Sequence, residues 1–528
     1  MLYVVVFLGL ALLAVTVYDV TQRRHAILRN FPVIGHFRYI LEEVGPELRQ
    51  YIVTGNDEER PFSRDQRRWV YASAKRENNY FGFGTDNDLE QSSGYVIIRH
   101  VAFPRTGPVP GQPGYDPTYA LPCAKVLGGH RQRARAFRPA SIVNTSAMSY
   151  GSLSSAAVEA INRGVKIAGA MQNTGEGGIS DHHRKGGDIV WQIGTGYFGC
   201  RDAAGNFSLD RCLESGASAP VRAIELKLSQ GAKPGHGGVL PGPKVTAEIA
   251  EARGVPVGTD CISPSAHSAF ATPIEMLRFI DRLRDLAGGK PTGFKLCIGH
   301  PWEWFAIAKA MLETGIVPDF IVVDGAEGGT GAAPLEFTDH VGAPLQEGLL
   351  LVHNTLKGAG LRERIRIGCA GKIVSAFDIT RAMALGADWC NSARGFMFAL
   401  GCIQAQNCHT GHCPTGVTTQ DPIRQQALVV PDKAERVYRF HQNTLEALKE
   451  LVQAAGLRHP SEITAHHIVR RVNENEVRLL ANLVPHVEAG ALLAGDLGQQ
   501  HNVFKLYWPT SSAERFSASA PAPAAVQG

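Results

Sequence analysis

Three closely spaced cysteines are the strongest chemical signal in this sequence. Cys402, Cys408 and Cys413 fall within twelve residues, in GCIQAQNCHTGHCPTG. Three neighbouring thiolates suit a metal cluster better than a disulfide, which leaves one thiol unpaired. Zinc is the competing metal because His409 and His412 are near, but zinc sites more often show a C-x2-C pair, which this segment lacks. The spacing favours an iron–sulfur cluster, and three thiolates suit a three-iron species as well as a four-iron one.

Charged residues inside apolar segments are a second chemical signal. Glu225 and Lys227 lie in AIELKL and Lys295 lies in GFKLCI, and both segments predict strands. An unpaired charge facing the interior is strongly unfavourable, so these side chains are expected to face a ligand or each other. A lysine ammonium beside an electron-accepting ring stabilises the negative charge that develops on reduction. A buried Lys–Glu pair without chemistry is the alternative.

Four glycine-rich segments follow predicted strands. They are NTGEGG at residues 173–178, SQGAKPGHGG at 229–238, DGAEGGTGAAP at 324–334 and AGK at 370–372, after the second, third, sixth and seventh predicted strands. Backbone amides in such loops bind phosphate, notably after strands seven and eight of a barrel. Ordinary turns explain any single segment equally well. Four of them at one edge of a predicted barrel indicate a ligand site.

The elements that position these groups alternate between strands and helices from residue 141 onward. The predicted strands are SIVNTS from Ser141, AMQNTG from Ala170, AIELKL from Ala223, PVGTDC from Pro256, GFKLCI from Gly293, DFIVVDG from Asp319, IRIGCAG from Ile365 and ADWCNS from Ala387. Amphipathic segments such as SSAAVEAINRGVKIAG predict helices between them. The pattern predicts an α/β fold, a (β/α)8 TIM barrel over residues 141–432, with a long loop after the second strand. An open, doubly wound sheet is the alternative.

The composition is that of a globular protein. Of the 528 residues, 44% are hydrophobic and 19% are charged, which excludes a disordered chain. The net charge of +4 is small for this length, so no nucleic acid partner is expected. Ten cysteines without a paired framework favour a reducing compartment.

The first residues carry a membrane signal. Residues 1–18 hold no charged side chain, and Asp19, Arg23, Arg24 and Arg29 follow them. This pattern predicts a transmembrane anchor over residues 1–19. Because the basic residues follow the span, we expect a single-pass protein of the cell membrane whose catalytic domain is cytoplasmic. No basic residue precedes the apolar segment, which argues against a cleaved signal peptide; a buried core helix is the alternative.

The regions that flank the predicted barrel are less regular. Residues 20–140 mix basic, aromatic and proline-rich stretches and predict an irregular N-terminal region. From residue 433 the sequence predicts a helical C-terminal extension, and SASAPAPAAVQG at residues 517–528 predicts a disordered tail.

Several segments together resemble a known family. SAMSYGSLS at residues 146–154, NTGEGG, IELKLSQGAKPGHGGVLPG at 224–242, EGGTGAAP at 327–334 and the three-cysteine segment ending in CPTGVTTQ are similar to the FMN-binding synthase domain of glutamate synthases. The similarity covers roughly residues 140–425. It implies a barrel that holds FMN and a 3Fe–4S cluster and reductively aminates 2-oxoglutarate to glutamate. The chain is thus expected to be a membrane-anchored, stand-alone form of that enzyme.

The resemblance also implies roles for individual residues. The expected cluster ligands are Cys402, Cys408 and Cys413. The expected FMN-binding residues are Lys295 at the pyrimidine edge, Met148, Ser149, Gln230 and Gly329 along the isoalloxazine, and Gly371, Lys372 and Ser392 at the phosphate. The expected substrate residues are Lys227, Lys233, Arg253 and Glu176, whose cations would bind the carboxylates.

The chain departs from the family pattern at two places. Glutamate synthases usually read GEGGQLPG where this chain has GHGGVLPG, so His236 and Val239 stand in for an acid and an amide. The substrate could therefore be another 2-oxo acid, or the product an N-substituted glutamate; a non-catalytic flavin and iron–sulfur electron carrier is a further alternative. The chain also shows no amidotransferase domain and no nicotinamide-binding motif. Ammonia is thus expected to come free or from a separate glutaminase, and electrons from ferredoxin, a separate reductase or a membrane donor.

Overall fold

The computed structural model describes residues 1–80, 82–495, 497 and 501–517. Within them the chain forms two compact units, Met1–Trp69 and Val70–Gly528. The disordered tail predicted from residue 517 lies outside the described residues from Ala518 onward.

The N-terminal unit is helical. It holds α1 (Leu2–Thr21), α2 (Ala26–Asn30), α3 (Gly35–Leu48), a π-helical turn (Arg49–Val53) and the first residues of α4 (Arg64–Lys75). In the part of the chain that the structure describes, α1 is the one helix long and apolar enough to cross a membrane. The described residues of the region 20–140, which was expected to be irregular, include the helices α2, α3 and α4.

Eight parallel strands close into a barrel. The strands of the chain are β1 (Val96–Ile98), β2 (Val143–Thr145), β3 (Met171–Asn173), β4 (Asp188–Ile193), β5 (Val221–Lys227), β6 (Val239–Leu240), β7 (Cys261–Ile262), β8 (Thr292–Leu296), β9 (Phe320–Asp324), β10 (Arg366–Ala370), β11 (Trp389–Ser392), β12 (Ile468–Asn473) and β13 (Glu476–Leu479). The barrel order is β2-β3-β4-β5-β8-β9-β10-β11, and β11 pairs with β2. The predicted barrel is confirmed, and the open-sheet alternative is wrong because this sheet has no free edge.

One predicted barrel strand is wrong and another was missed. In PVGTDC the chain turns at Gly258, and Cys261 enters β7, which pairs antiparallel with β6 outside the barrel. Val257 is 61% exposed, so this short apolar stretch does not belong to the core. The missing strand is β4, which pairs with β3 and β5 in the segment interpreted as a long loop. SQGAKPGHGG therefore follows the fourth barrel strand rather than the third.

Helices surround the barrel. They are α5 (Ser155–Ala168), α6 (Leu209–Ala217), α7 (Ala247–Arg253), α8 (Pro273–Leu286), α9 (Pro301–Thr314), α10 (Leu335–His340), α11 (Leu345–Gly358), α12 (Ala376–Ala384), α13 (Arg394–Leu400), α14 (Pro422–Gln425), α15 (Val430–Ala454), α16 (Ala491–Ala494) and α17 (Asn502–Tyr507). The Ser154 side chain caps α5 by accepting a hydrogen bond from Ala157 N, and Gly169 ends the helix in the left-handed conformation. A capping box between Thr272 and Glu275 begins α8.

The C-terminal region is more varied than the predicted helical extension over residues 433–528. α15 packs against α5, so it belongs to the helical layer of the barrel. After it, β12 and β13 pair antiparallel, and β1 adds a third strand beside β12. In the described residues, the region is thus a barrel helix followed by a small sheet and the short helices α16 and α17.

Candidate active site

The carboxyl ends of the barrel strands bring the predicted substrate residues together. Lys227 ends β5, and Glu176 lies in the loop after β3. Lys227 Nζ lies 2.7 Å from Glu176 Oε1 and donates a hydrogen bond of 2.6 Å to Gln230 Oε1. Because Lys227 is buried and Glu176 is nearly so, little water screens this ion pair.

Two glycines fix the position of the Glu176 carboxylate. A Cβ at Gly194, after β4, would lie 2.6 Å from Glu176 Oε2, and a Cβ at Gly238 would lie 2.7 Å from Oε1. A side chain at either position would therefore push the carboxylate away from Lys227.

The charges at this end of the barrel shift the titration of one another. Burial acts to raise the pKa of Glu176, but Lys227, Arg253 and Lys233 outweigh it and hold that pKa below its ordinary value. Burial lowers the pKa of Lys227, and Glu176 opposes the shift. The pKa of Lys233 is lowered by burial and by the charge of Lys227. Glu176 is therefore a carboxylate at neutral pH, among more cationic groups than it can neutralise.

Lys233 and Arg253 act on the ion pair from different places. Lys233 Nζ donates to the carbonyl oxygen of Ala332, in the loop after β9, at 2.8 Å. Arg253 ends α7 and donates from Nη2 to the carbonyl oxygen of Tyr150 at 2.9 Å. Its buried Nε has no hydrogen-bond partner among the described residues. Arg253 thus braces the loop after β2 and influences Glu176 through its charge.

A second ion pair lies one strand further around the barrel. Lys295 in β8 is the register partner of Lys227, so two cationic side chains stand on adjacent strands. Lys295 Nζ lies 3.3 Å from Asp324 Oδ2, at the end of β9. Burial acts to lower the pKa of Lys295, but Asp324 and Glu225 outweigh it and raise that pKa. Lys295 is therefore a buried cation at neutral pH.

Glu225 completes the set of charges inside the predicted strands. Its Oε1 accepts hydrogen bonds from Asn173 Nδ2 at 2.9 Å and from Gln192 Nε2 at 2.6 Å. Burial raises its pKa, while Lys295 and the two amides oppose the shift. The strand charges thus face each other and polar neighbours.

The residues predicted to line a flavin lie on loops that touch backbone to backbone. Met148 and Ser149 follow β2, and a Cβ at Gly175 would lie 2.5 Å from the Ser149 nitrogen. A Cβ at Gly231 would lie 1.8 Å from the carbonyl oxygen of Gly325, so the loops after β5 and β9 meet in the same way. Only glycine permits these approaches.

Gln230, in the loop after β5, lies close to the loop after β9, which contains Gly329. Gln230 Nε2 donates to Thr330 Oγ1 at 3.3 Å. Arg394, at the start of α13, donates to the carbonyl oxygen of Glu327 at 2.9 Å, and a Cβ at Gly329 would lie 3.0 Å from its guanidinium carbon. Arg394 therefore packs flat against this glycine loop.

The residues predicted for a phosphate lie at the ends of β10 and β11. Gly371 and Lys372 have φ angles of +149° and +50°, so the chain turns sharply as it leaves β10. Ser392 ends β11 and donates from Oγ to the carbonyl oxygen of Ile373 at 2.6 Å. The hydroxyl of Ser392 therefore holds the turn against β11.

The three cysteines lie on the loop that follows α13. Cys402 and Cys408 are partly exposed and Cys413 is buried. The buried Lys244 ammonium donates to the carbonyl oxygens of Cys408 at 3.2 Å and Thr418 at 3.0 Å. Across the described residues, no three metal-binding side chains are gathered into a ready-made site. The loop has a cation at its base that suits an anionic group, and the iron–sulfur cluster stays a prediction.

The sequence interpretation missed residues that hold the predicted ones in place. Asp324 was recognisable as a carboxylate at a strand end, and Lys244 as a lysine within the apolar segment VLPGPKVT. His267, whose Nε2 lies 2.8 Å from the carbonyl oxygen of Lys227, and Arg394 carried no signal in the sequence.

Comparison with known proteins identifies the family. A family described as a conserved region in glutamate synthase matches residues 127–458. The chain belongs to the glutamate synthase family. The glutamate synthase large subunit-like protein YerD of Bacillus subtilis (strain 168) is 41% identical over 495 residues, which cover 88% of this chain and 94% of that protein. The predicted class, a glutamate synthase-like oxidoreductase acting on CH–NH2 donors, is confirmed.

Other members of the glutamate synthase family are longer than the matched region. The archaeal-type glutamate synthase [NADPH] of Thermotoga neapolitana is 35% identical over 340 residues, which cover 63% of this chain and 64% of that protein. The glutamate synthase [NADPH] large chain of Bacillus subtilis is 32% identical over 341 residues, which cover 62% of this chain and 21% of that protein.

Proposed function

We propose that the chain reductively aminates 2-oxoglutarate to glutamate, with FMN and a 3Fe–4S cluster as cofactors. In this reaction 2-oxoglutarate, ammonium, two electrons and two protons give glutamate and water. The observation that carries the proposal is the surplus of buried cations around the Glu176 carboxylate. A dicarboxylate substrate would balance that surplus through charge-assisted hydrogen bonds.

The carboxyl end of the barrel fits FMN by the chemistry of its groups. FMN supplies, when bound, the hydride that reduces a carbon–nitrogen double bond. The buried Lys295 cation suits the electron-rich edge of a reduced ring, and the left-handed turn at Gly371 and Lys372 suits a phosphate. The residues that we assign to FMN are Lys295, Met148, Ser149, Gln230, Gly329, Gly371, Lys372 and Ser392.

The substrate residues would bind the oxo acid and move protons. Lys227 and Lys233 supply cations for its carboxylates, while Arg253 keeps Glu176 anionic. The Glu176 carboxylate can take a proton from ammonium, and Lys227 Nζ can give one to the oxygen that leaves as water. Because these two groups lie 2.7 Å apart, a proton can return directly from Glu176 to Lys227.

The cysteine loop would connect this site to an electron donor. Cys402, Cys408 and Cys413 would supply thiolates for the cluster, and the Lys244 cation at the base of the loop would balance part of its negative charge. The donor that we propose is ferredoxin or a separate reductase. Ammonia would come free or from a separate glutaminase.

We also propose that α1 anchors the chain in the cell membrane as a single span, with the catalytic domain in the cytoplasm. Arg23 and Arg24 follow the helix directly and are exposed, as the positive-inside rule requires of the cytoplasmic side. Membranes washed with alkaline carbonate should retain the full chain. Release into the wash would exclude the anchor.

A neighbouring reaction is the second candidate. The ring of His236 lies edge-on to Phe337, 5.1 Å between centroids, on the loop that departs from the family pattern. An aromatic wall there favours a substituent on the substrate or the amine, as in a different 2-oxo acid or an N-substituted glutamate.

The decisive experiment is anaerobic reoxidation. The full chain is reduced with dithionite, and 2-oxoglutarate and ammonium are added while flavin absorbance and glutamate are followed. Methylamine replaces ammonium, and 2-oxobutyrate replaces 2-oxoglutarate, to test the second candidate. A flavin that stays reduced with every combination would identify a non-catalytic electron carrier.

The cluster is tested separately in the Cys408→Ser variant. We expect it to lose the EPR signal of the cluster and turnover fed by ferredoxin, while it keeps reoxidation after dithionite. A wild-type protein without iron would exclude the cluster and leave the barrel chemistry intact.

A further inference from the structure

Helix α3 carries a continuous apolar stripe on one side. Phe37, Ile40, Leu41, Val44 and Leu48 recur at intervals of three and four residues, which places all five side chains within about 100° around the helix axis. We call these five residues the apolar stripe.

Within the described residues of the N-terminal unit, the apolar stripe is exposed along its whole length. Its side chains are between 42% and 68% exposed. Soluble proteins normally bury such a stripe against a core, since water contact with contiguous apolar surface is unfavourable. Within the described residues of its own unit the stripe is thus open to an occupant.

The beginning of α3 is fastened to the end of α1. Asp19, in the last turn of α1, is fully buried and accepts a hydrogen bond from Val33 N at 2.8 Å. His36, in the first turn of α3, places its Nε2 3.0 Å from Asp19 Oδ1. Gly35 also packs against Leu28 of α2, where a Cβ would come within 3.0 Å of the leucine side chain. α3 therefore starts at the level where the candidate membrane span ends.

Away from the stripe, α3 carries Arg38 and three glutamates, Glu42, Glu43 and Glu47. Arg38 pairs with Glu42 at 2.8 Å away from the stripe, and Glu43 is exposed on another side of the helix. Exposed Arg23, Arg24 and Arg29 lie between α1 and α3. A helix with one apolar face, polar flanks and neighbouring arginines has the character of an interfacial helix.

We propose that α3 lies in the headgroup layer of the membrane with the apolar stripe against the acyl chains. This inference rests on the proposed anchor α1. If α1 spans the membrane, the contacts of Asp19 with Val33 and His36 place the start of α3 at the membrane surface. Lipid is the occupant that this continuity favours, and the arginines between the two helices match anionic headgroups. The chain is then attached at two places, a span and a surface helix.

Photocrosslinking in the full chain tests the proposal. The photoreactive residue p-benzoylphenylalanine replaces Leu41 in the stripe or, as the matched control, Glu43 two residues further on. Each protein is reconstituted into vesicles of phosphatidylcholine and phosphatidylglycerol and irradiated, and adducts are identified by mass spectrometry. We expect lipid adducts at position 41 and only background at position 43.

Other outcomes overturn the proposal. Crosslinks between two copies of the chain at position 41 would make the stripe a dimer interface, and protein without adducts would show a stripe that faces water. Equal lipid adducts at both positions would exclude an oriented helix. An alkaline carbonate wash of the same vesicles reports on α1 separately, so failure of the anchor is distinguished from failure of the surface helix.

Discussion

The two ends of the barrel hold their buried charges in different ways. At the amino end, Asp319 precedes β9 and accepts hydrogen bonds from Arg284 Nε at 3.2 Å and from Thr292 N at 2.9 Å. Arg133 lies 3.3 Å from its other oxygen. Both oxygens of this carboxylate thus accept hydrogen bonds from donors of the chain itself.

The carboxyl end leaves cations in excess. Lys227 and Lys295 stand side by side, and Lys295 is balanced by Asp324 and Glu225, whereas Lys227, Arg253 and Lys233 all act on the single carboxylate of Glu176. Because burial of unbalanced charge is unfavourable, the surplus of positive charge around Glu176 favours the binding of an anion there. Buried charge at the amino end is therefore satisfied within the fold, whereas at the carboxyl end, where barrel enzymes hold their active sites, positive charge around Glu176 is in surplus.

The largest effect is expected from breaking the amino-end network. Arg284→Met leaves Asp319 buried without its main cation and should lower the free energy of unfolding by about 3–5 kcal/mol. Urea unfolding measures the change, and the folded fraction should keep wild-type turnover. Arg282→Met, on the exposed side of the same helix, is the control and should stay within about 0.5 kcal/mol. If folded Arg284→Met loses turnover, then buried charge at the amino end also contributes to activity, and the proposed difference between the two ends is wrong.

At the carboxyl end the expected loss is in activity. Lys227→Met should lower kcat/KM for the oxo acid by about 10²–10³-fold, because the cation that contacts the reacting groups is removed. The double variant Lys227→Met with Glu176→Gln avoids an unpaired buried carboxylate and should unfold near the wild-type temperature. Lys505→Met, exposed on α17, is the control. If the double variant keeps the wild-type kcat/KM, then Lys227 and Glu176 do not take part in the reaction.

Two buried histidines, one near each end of the barrel, make the free energy of unfolding depend on pH. Burial lowers the pKa of His267, beside Lys227, and of His441, beside the start of β2, to about 4 in each case. Since these folded-state pKa values lie below the unfolded value, the stabilisation is complete above about pH 6.5 and is lost as the pH falls toward 4. His267→Gln should reduce the slope of unfolding free energy in this window by about 1.4 kcal/mol per pH unit.

Urea unfolding at several values between pH 7 and pH 4.5 measures that slope. His466→Gln, at an exposed position, is the matched control. An unchanged slope in His267→Gln would mean that His267 is already protonated in the fold.

The smallest effect is expected at Lys233. Lys233→Ala should raise KM for the oxo acid about tenfold with little change in kcat, since its ammonium acts on binding. Steady-state kinetics with varied oxo acid measures both constants, and Lys505→Ala serves as the control. A fall in kcat at constant KM would instead assign Lys233 to the chemical step.

The fold could be predicted where a segment with the local pattern of a strand also lies within the barrel. Seven of the eight barrel strands follow from short apolar segments that end in glycine or polar residues. PVGTDC has the same local pattern but folds outside the barrel, because a turn at Gly258 interrupts it. DIVWQI, which forms β4, is followed by GTGYFG and so has the same local pattern, but it was interpreted as part of a long loop after the second strand.

The candidate site could be predicted only in part. Lys227 and Lys295 stand out because charge is rare inside apolar strands. Their partners do not, since Asp324 lies 29 residues beyond Lys295 and only the closed barrel brings the two together. The apolar stripe of α3 was hidden in a region interpreted as irregular, because the prediction weighed proline and basic residues above helical periodicity.

The pairing of β1 with β12 constrains how the chain is made. Val96 stands opposite Arg470 and Ile98 opposite Ile468, so the two strands are separated by most of the polypeptide. During synthesis β1 leaves the ribosome long before its neighbour exists. The small sheet is therefore among the last parts to assemble, and a nascent chain stopped short of residue 468 exposes an unpaired strand edge that invites aggregation.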